Sequence, residues 1–191
     1  RFYVPHNIFG EPSIEIGPNG ESFRQQFDGY GRIIAQEDAN GSMATIHLSA
    51  TNIPSAYYRA EFNVPGTANR FVDYDRLNRP TVERWTLFDG SPVAQVTEYN
   101  GLGKIRRITE PFFEGQGPVE STVFEYDNLR RLVSRVEPGG ATTEYEYAQG
   151  NLSGDTLGEE RTIHDARGYT AVGTVDGRGH LLTRRDEKNV V

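Results

Sequence analysis

A seven-residue pattern recurs along this chain: an aromatic, Asp or Asn, two or three variable positions that often include Gly, a basic residue, then an apolar residue or Pro. It stands as FDGYGRI at 27–33, YDRLNRP at 74–80, YNGLGKI at 99–105 and YDNLRRL at 126–132. Looser copies are HNIFGEP at 6–12, HDARGYT at 164–170 and VDGRGHL at 175–181. The starts at 6, 27, 74, 99, 126, 164 and 175 lie 21, 47, 25, 27, 38 and 11 residues apart. Intervals of 21 to 27 are one hairpin repeat, 47 is about two with an eroded middle copy, and 38 is one repeat plus a loop near 148–158. The final 11 predicts two consecutive turns joined by a single strand. Self-similarity on this scale marks an architecture of stacked supersecondary units.

Physical chemistry gives each position a task. The aromatic (Phe27, Tyr74, Tyr99, Tyr126, and His164 in a looser copy) ends a strand and is expected to stack on its counterpart in the neighbouring repeat. The Asp or Asn (Asp28, Asp75, Asn100, Asp127, Asp165) caps the turn through bonds to backbone amides two residues on. Gly supplies the positive φ, and the basic residue (Arg32, Arg79, Lys104, Arg131) opens the returning strand with the apolar residue after it. One hairpin is marginal alone and needs neighbours.

The punctuation agrees. With 21 Gly and 10 Pro among 191 residues, little room is left for helices. Runs rich in Val, Ile, Thr, Tyr and Phe lie between them, as at 121–126, 131–137 and 142–147, with the length and composition of strands. In 142–147 Thr143, Tyr145 and Tyr147 share one face while Glu144 and Glu146 take the other, as in antiparallel sheet with a wetted face. Turn signals fall at Pro18-Asn19-Gly20, Asn40-Gly41, Asp89-Gly90, Asn100-Gly101, Pro138-Gly139-Gly140 and Asp176-Gly177, where Asn-Gly and Asp-Gly pairs are expected to take positive φ. Residues 41–65 and 148–160 are the least regular and are expected to form longer loops.

Charge and composition exclude several function classes. A formal charge of −7 argues against a general nucleic-acid binder and against docking on anionic lipid. The absence of an 18-residue apolar run leaves no helical membrane span. Zero Cys removes disulfides, thiolate metal sites and Cys nucleophiles. The chain starts at Arg1 without an initiator Met, as expected of a piece of a longer polypeptide.

The motif resembles the YD repeats of RHS-type proteins, in which a Gly precedes a Tyr-Asp pair followed by Gly-Arg-Leu or a variant. Tyr74-Asp75 and Tyr126-Asp127 carry the resemblance, with the variants Phe27-Asp28 and Tyr99-Asn100 and the basic-apolar tails Arg32-Ile33, Lys104-Ile105 and Arg131-Leu132. It covers nearly the whole chain. The family includes polymorphic RHS toxins, the B and C components of insecticidal Tc toxins and the teneurin ectodomains. The resemblance implies repeats wound as a spiralling β-sheet into a hollow shell, enclosing a C-terminal toxic domain in bacterial members. A closed shell needs many hundreds of residues, and the family's Asp-Pro autocleavage signature has no counterpart, because no Asp-Pro pair occurs here. Autoproteolysis and cargo release are therefore not assigned to this chain.

Candidate chemistry was weighed against plainer roles. The spacing of His6, His47, His164 and His180 matches no zinc signature; His6 and His164 occupy the aromatic position, where a stacked ring suffices, with His180 in a turn and His47 in a strand. The carboxylate pairs Asp73/Asp75, Glu144/Glu146 and Glu159/Glu160 could suggest a glycosidase, but solvated or turn-capping roles are the simpler expectation. Gly101-Leu102-Gly103-Lys104 lacks the spacing and the Ser or Thr of a phosphate loop. Arg106, Arg107, Arg130, Arg131, Arg184 and Arg185 could line a groove for an anionic glycan; pairing with adjacent carboxylates is the plainer alternative. Trp85, in an expected strand at 82–88, reads as packing. The Asn40 and Asn151 sequons matter only in a eukaryotic source.

The expectation is an all-β chain of antiparallel hairpin repeats forming a spiralling sheet, with 1–191 a single YD-repeat region. Its expected function is non-enzymatic: a segment of an RHS shell enclosing a C-terminal effector in a secreted or cell-surface bacterial protein. The alternative is a surface adhesin or scaffold that binds glycan or a partner protein. Expected partners are other parts of the same shell and the enclosed effector, with no nucleic acid, no cofactor and no metal. Two unpaired sheet edges would favour self-association unless the loops at 41–65 and 148–160 cover them.

Overall fold

The computed structural model describes residues 6–8, 10–53, 56–118, 120–151 and 157–188. Sixteen strands account for most of them: β1 (Ile14–Ile16), β2 (Ser22–Phe27), β3 (Ile33–Glu37), β4 (Met43–Ala50), β5 (Tyr58–Asn63), β6 (Arg70–Tyr74), β7 (Pro80–Thr86), β8 (Pro92–Tyr99), β9 (Ile105–Thr109), β10 (Phe112–Phe113), β11 (Ser121–Tyr126), β12 (Leu132–Val136), β13 (Thr142–Asn151), β14 (Leu157–His164), β15 (Tyr169–Val175) and β16 (Leu181–Lys188). The one helical element among the described residues is the short 3-10 turn Pro138–Gly140. Every pairing is antiparallel and follows chain order, except that β10 folds back onto β8 and leaves β9 beside β11. The all-β, antiparallel-hairpin expectation holds.

The chain divides into two compact units, 1–96 with 111–117, and 97–110 with 118–191. In the first unit β1 to β7 pair in sequence, and the first half of β8 lies between β7 and β10. In the second, residues 97–99 of β8 pair with β9, and β11 to β16 continue the meander. Buried apolar side chains are few and small among the described residues: Ala35, Ala60, Val72, Val93 and Ala94 in the first unit, Val175 in the second. Each unit is therefore held mainly by its hydrogen-bonded ladder and by cross-strand side-chain pairs rather than by a thick core.

Three expectations about local structure are corrected. Residues 41–65 and 148–160 are not long irregular loops: β4 and β5 occupy most of the first stretch, and β13 and β14 pair from Glu144↔His164 to Asn151↔Leu157 in the second. Gly- and Ser-containing sequence there suggested loop, but continuous pairing supplies what propensity lacks. The Asn151 sequon and the tip at 152–156 fall largely outside the described residues. The strand holding Trp85 ends at Thr86, and Leu87 and Phe88 belong to the next turn. The positive φ values sit later in the turns than expected: Gly20, Gly41 and Gly90 have them, but at Asn100-Gly101 and Asp176-Gly177 the left-handed residues are Gly103 and Gly179.

Candidate functional site: the repeated turns and a buried ion cluster

Eleven turns among the described residues close in the same way, starting at residues 7, 17, 28, 38, 75, 87, 100, 127, 137, 165 and 176. In each, the first residue's N–H donates to the carbonyl of the fifth, and the fourth residue's N–H donates to the carbonyl of the first; Asp28–Arg32 at 2.9 Å and Gly31–Asp28 at 3.1 Å are one example. The fourth residue is the left-handed one, held by Gly31, Asn78, Gly103, Arg130, Gly168 and Gly179 in six copies. Four of these turns, at 17, 38, 87 and 137, are not predicted by the heptad. Their signal was a Gly at the fourth place, in Asn-Gly, Asp-Gly or Pro-Gly-Gly, with no aromatic just before the turn and no basic fifth residue.

Ten of the eleven turns, all but the one at 7, fall into two classes. Those at 28, 75, 100, 127 and 176 each follow a register shift, at Gln26/Phe27, Asp73/Tyr74, Glu98/Tyr99, Glu125/Tyr126 and Thr174/Val175. The partner strand carries one extra residue there: Ile34, Thr81, Arg106, Val133 or Leu182. Such a bulge sharpens the local right-handed twist. At Thr81 the bulge is stitched by its own side chain, whose hydroxyl donates to the Asp73 carbonyl at 3.1 Å. The turns at 17, 38, 87, 137 and 165 have no such shift. Because strands alternate in direction, the two classes lie at opposite ends of the strands within each unit. HDARGYT at 164–170, grouped above with the heptads, thus belongs to the unbulged class.

The expected capping chemistry is present. One Asp28 carboxylate oxygen accepts from the amides of Tyr30 (2.9 Å) and Arg32 (3.0 Å), and the other accepts from Arg32 Nε at 2.7 Å. Asp75 repeats this with Leu77 and Arg79, and Asp127 with Leu129 and Arg131. Asn100 caps Leu102 and Lys104, both at 3.0 Å, without a charge to offer the lysine. Asp165 caps Arg167 and Tyr169 and pairs with the Arg167 guanidinium. Asp176 caps Arg178 and His180. Partial burial alone would raise the carboxyls of Asp28 and Asp75, yet the amide and guanidinium bonds outweigh it and hold both below the ordinary value. Asp127, Asp165 and Asp176 are held down chiefly by the fifth-residue amide.

The aromatic ladder is corrected. Tyr74 stacks, with ring centroids 4.9 Å apart and planes 10° from parallel, but on Tyr58 at the start of β5, outside the motif. Antiparallel register makes Tyr58 and Pro80 the direct neighbours of Tyr74, whereas motif aromatics on successive copies stand at least two strand spacings apart, about 9.5 Å. Tyr58 also donates its hydroxyl to the Asn78 side chain, tying β5 to the neighbouring turn. Arg131 lies 4.3 Å from the Tyr147 ring and pairs with Glu159 at 2.8 Å, while the Tyr147 hydroxyl donates to the Leu132 carbonyl. At His164 the ring bonds Thr170 through Nδ1, with Glu146 3.8 Å from Nε2.

The solvated or turn-capping role expected for Asp73 is also corrected. Asp73 caps no turn and has no exposed surface. Its carboxylate receives Arg59 from β5, at 2.7 and 3.1 Å, and Arg84 from β7; Arg84 in turn reaches Glu114 at 2.7 Å. Burial pushes the Asp73 carboxyl up, but the two guanidinium groups outweigh it and the net effect is a lowered pKa. Sequence spacing gave no sign of this, because Arg59 and Arg84 lie 14 and 11 residues away. The expected Arg–carboxylate pairing also appears at Arg107–Glu98 (3.3 Å) and Arg184–Asp186 (3.0 Å).

Among the described residues, no group of three or more His, Asp or Glu is arranged to hold a metal ion, and no helix is long and apolar enough to cross a membrane. No family model and no curated protein matches the chain. The structure is similar to three crystal structures, each covering most of this chain but a small part of the other. The first is TcdB2-TccC3-Cdc42, with 14% identity, 86% of this chain against 9% of that one, and a TM-score of 0.32. The second is TcdB2-TccC3-TEV, with 10% identity, 94% against 12%, and 0.35. The third is TcdB2-TccC3 without its hypervariable C-terminal region, with 12% identity, 90% against 11%, and 0.32. The chain thus spans about a tenth of the length of the chains it resembles.

Proposed function

We propose that this chain is a non-enzymatic wall segment of an RHS-type YD-repeat shell, part of a secreted bacterial protein that encloses a C-terminal effector. The observation that supports this most is the uniform turn: eleven closures of one kind, ten of which join consecutive antiparallel strands. A wall needs a repeated unit that propagates in one direction, satisfies its backbone locally and requires little core. The turn provides that, because each closure is made from residues within five positions of one another, with an Arg-locked Asp cap at 28, 75, 127 and 165. Every cluster of charged side chains described above is accounted for by turn capping or by cross-strand pairing, which supports a structural role. Containment would follow from the density of backbone hydrogen bonds, which leaves few openings for a protease.

The test is to purify the intact parent polypeptide and measure its mass before and after denaturation. A separate C-terminal fragment retained until denaturation is the expected result. A single uncleaved chain with nothing enclosed overturns the containment reading.

A further inference from the structure

The two classes of turn differ in chemistry as well as in backbone. At the bulged end the third turn residue is Tyr30, Leu77, Leu102 or Leu129 in four of five copies, and these side chains are 82%, 71%, 48% and 72% exposed. At the unbulged end the same place holds Asn19, Asn40, Asp89, Gly139 or Arg167, and the apolar residue moves to the second place, as Pro18, Ala39, Phe88, Pro138 and Ala166. Phe88 is completely exposed. Charge divides the same way. Turns 17–21, 38–42, 87–91 and 137–141 each carry one carboxylate and no cation, 75–79, 100–104 and 127–131 each carry one more cation than carboxylate, and 28–32, 165–169 and 176–180 carry one of each. Summed over each unit, the classified turns are net basic at one strand end and net acidic at the other, with apolar tips at both. The exposed apolar tips are not needed to close a turn, since both classes use the same two backbone bonds, and of the cations Arg76, Lys104 and Arg130 are beyond those that bond the capping aspartates.

We infer that, in each unit taken by itself, the bulged, basic turn tips are a docking edge for the unbulged, acidic turn tips of a second copy of this chain. Charge complementarity chooses the occupant: like ends repel, and opposite ends attract while burying the leucines against Phe88 and its counterparts. Tips of one class lie two or four strand spacings apart, about 9.5 or 19 Å, and the spacings match between ends: 28 and 75 with 38 and 87 in the first unit, 100 and 127 with 137 and 165 in the second. Such an interface is head-to-tail rather than two-fold. It is distinct from pairing at β1 and β16, the terminal strands among the described residues, and it does not depend on what the parent protein encloses.

Sedimentation of the purified chain tests it. Wild type is expected to associate with rising concentration, more weakly as salt is raised. The exposed triple variant Leu77→Asn, Leu102→Asn, Leu129→Asn is expected to lose association by about tenfold per leucine, and Phe88→Ser is expected to weaken it from the other end. Mixing the two variants leaves one intact edge on each and is expected to restore a one-to-one complex. Monomeric wild type at every concentration overturns the inference. So does association that survives in both variants, which would assign contact to the free strand edges, and so does a mixture that stays monomeric.

Discussion

Arg59 Nε lies 2.7 Å from Asp73 Oδ1, and Asp73 has no exposed surface while Arg59 keeps about a third of its own. With Arg84 on the opposite strand, this makes the Asp73 carboxylate a three-strand clamp across β5, β6 and β7. Removing one partner of a buried pair leaves an uncompensated charge. Asp73→Ala is therefore expected to lower the unfolding free energy by about 3 kcal/mol, the low end for buried pairs because both guanidinium groups reach solvent. Asp186→Ala, at an exposed pair, is expected to change it by less than about 0.5 kcal/mol. Urea titrations of the two variants check the contrast.

Acid should weaken the fold through the same carboxylates. Asp28, Asp73, Asp75, Asp127, Asp165 and Asp176 all have folded pKa values below their ordinary ones. The stabilisation they give is complete above the unfolded carboxylate value, about 4, and is lost as pH falls through the lower folded values. Stability is expected to be flat with respect to these groups from neutral pH to about 5 and to fall below about 4. A urea midpoint that rises on acidification through that window would refute the sign.

Two turns place a side chain in the left-handed region: Asn78 at φ 60° and Arg130 at φ 65°. Arg130→Gly is expected to raise stability by about 0.5–1 kcal/mol by removing the Cβ penalty. Asn78→Gly is expected to gain less or to lose, because it also deletes the bond from the Tyr58 hydroxyl. Gly31→Ala and Gly103→Ala are expected to cost about 1 kcal/mol each. Equal midpoints for Arg130→Gly and Asn78→Gly would count against the Tyr58 bond.

The Tyr58–Tyr74 stack is measurable by a double-mutant cycle with Leu at both positions. A coupling of about 0.5–1.5 kcal/mol is expected. A cycle pairing Tyr99 with Tyr126, motif aromatics on β8 and β11 with β9 between them, is expected to give coupling near zero.

The turns were legible because they are local. Asp28, Gly31 and Arg32 lie within five residues, so side-chain capping, the left-handed glycine and the returning strand are all written in one short window, as they are at 75, 100 and 127. From those turns and the apolar runs between them, the all-β hairpin architecture follows. The turns at 17, 38, 87 and 137 were legible from their Asn-Gly, Asp-Gly and Pro-Gly-Gly signals but not as copies of the heptad, because they lack its aromatic before the turn and its basic residue at the fifth place. What the tertiary structure decided was everything that depends on register between strands: Tyr58 rather than another motif aromatic beside Tyr74, Arg59 and Arg84 around a buried Asp73, a bulge at every turn of one class, and opposite charge at the two strand ends. Cross-strand neighbours are separated by a number of residues that the intervening turn and bulge set together, and one residue's slip would turn each side chain to the other face.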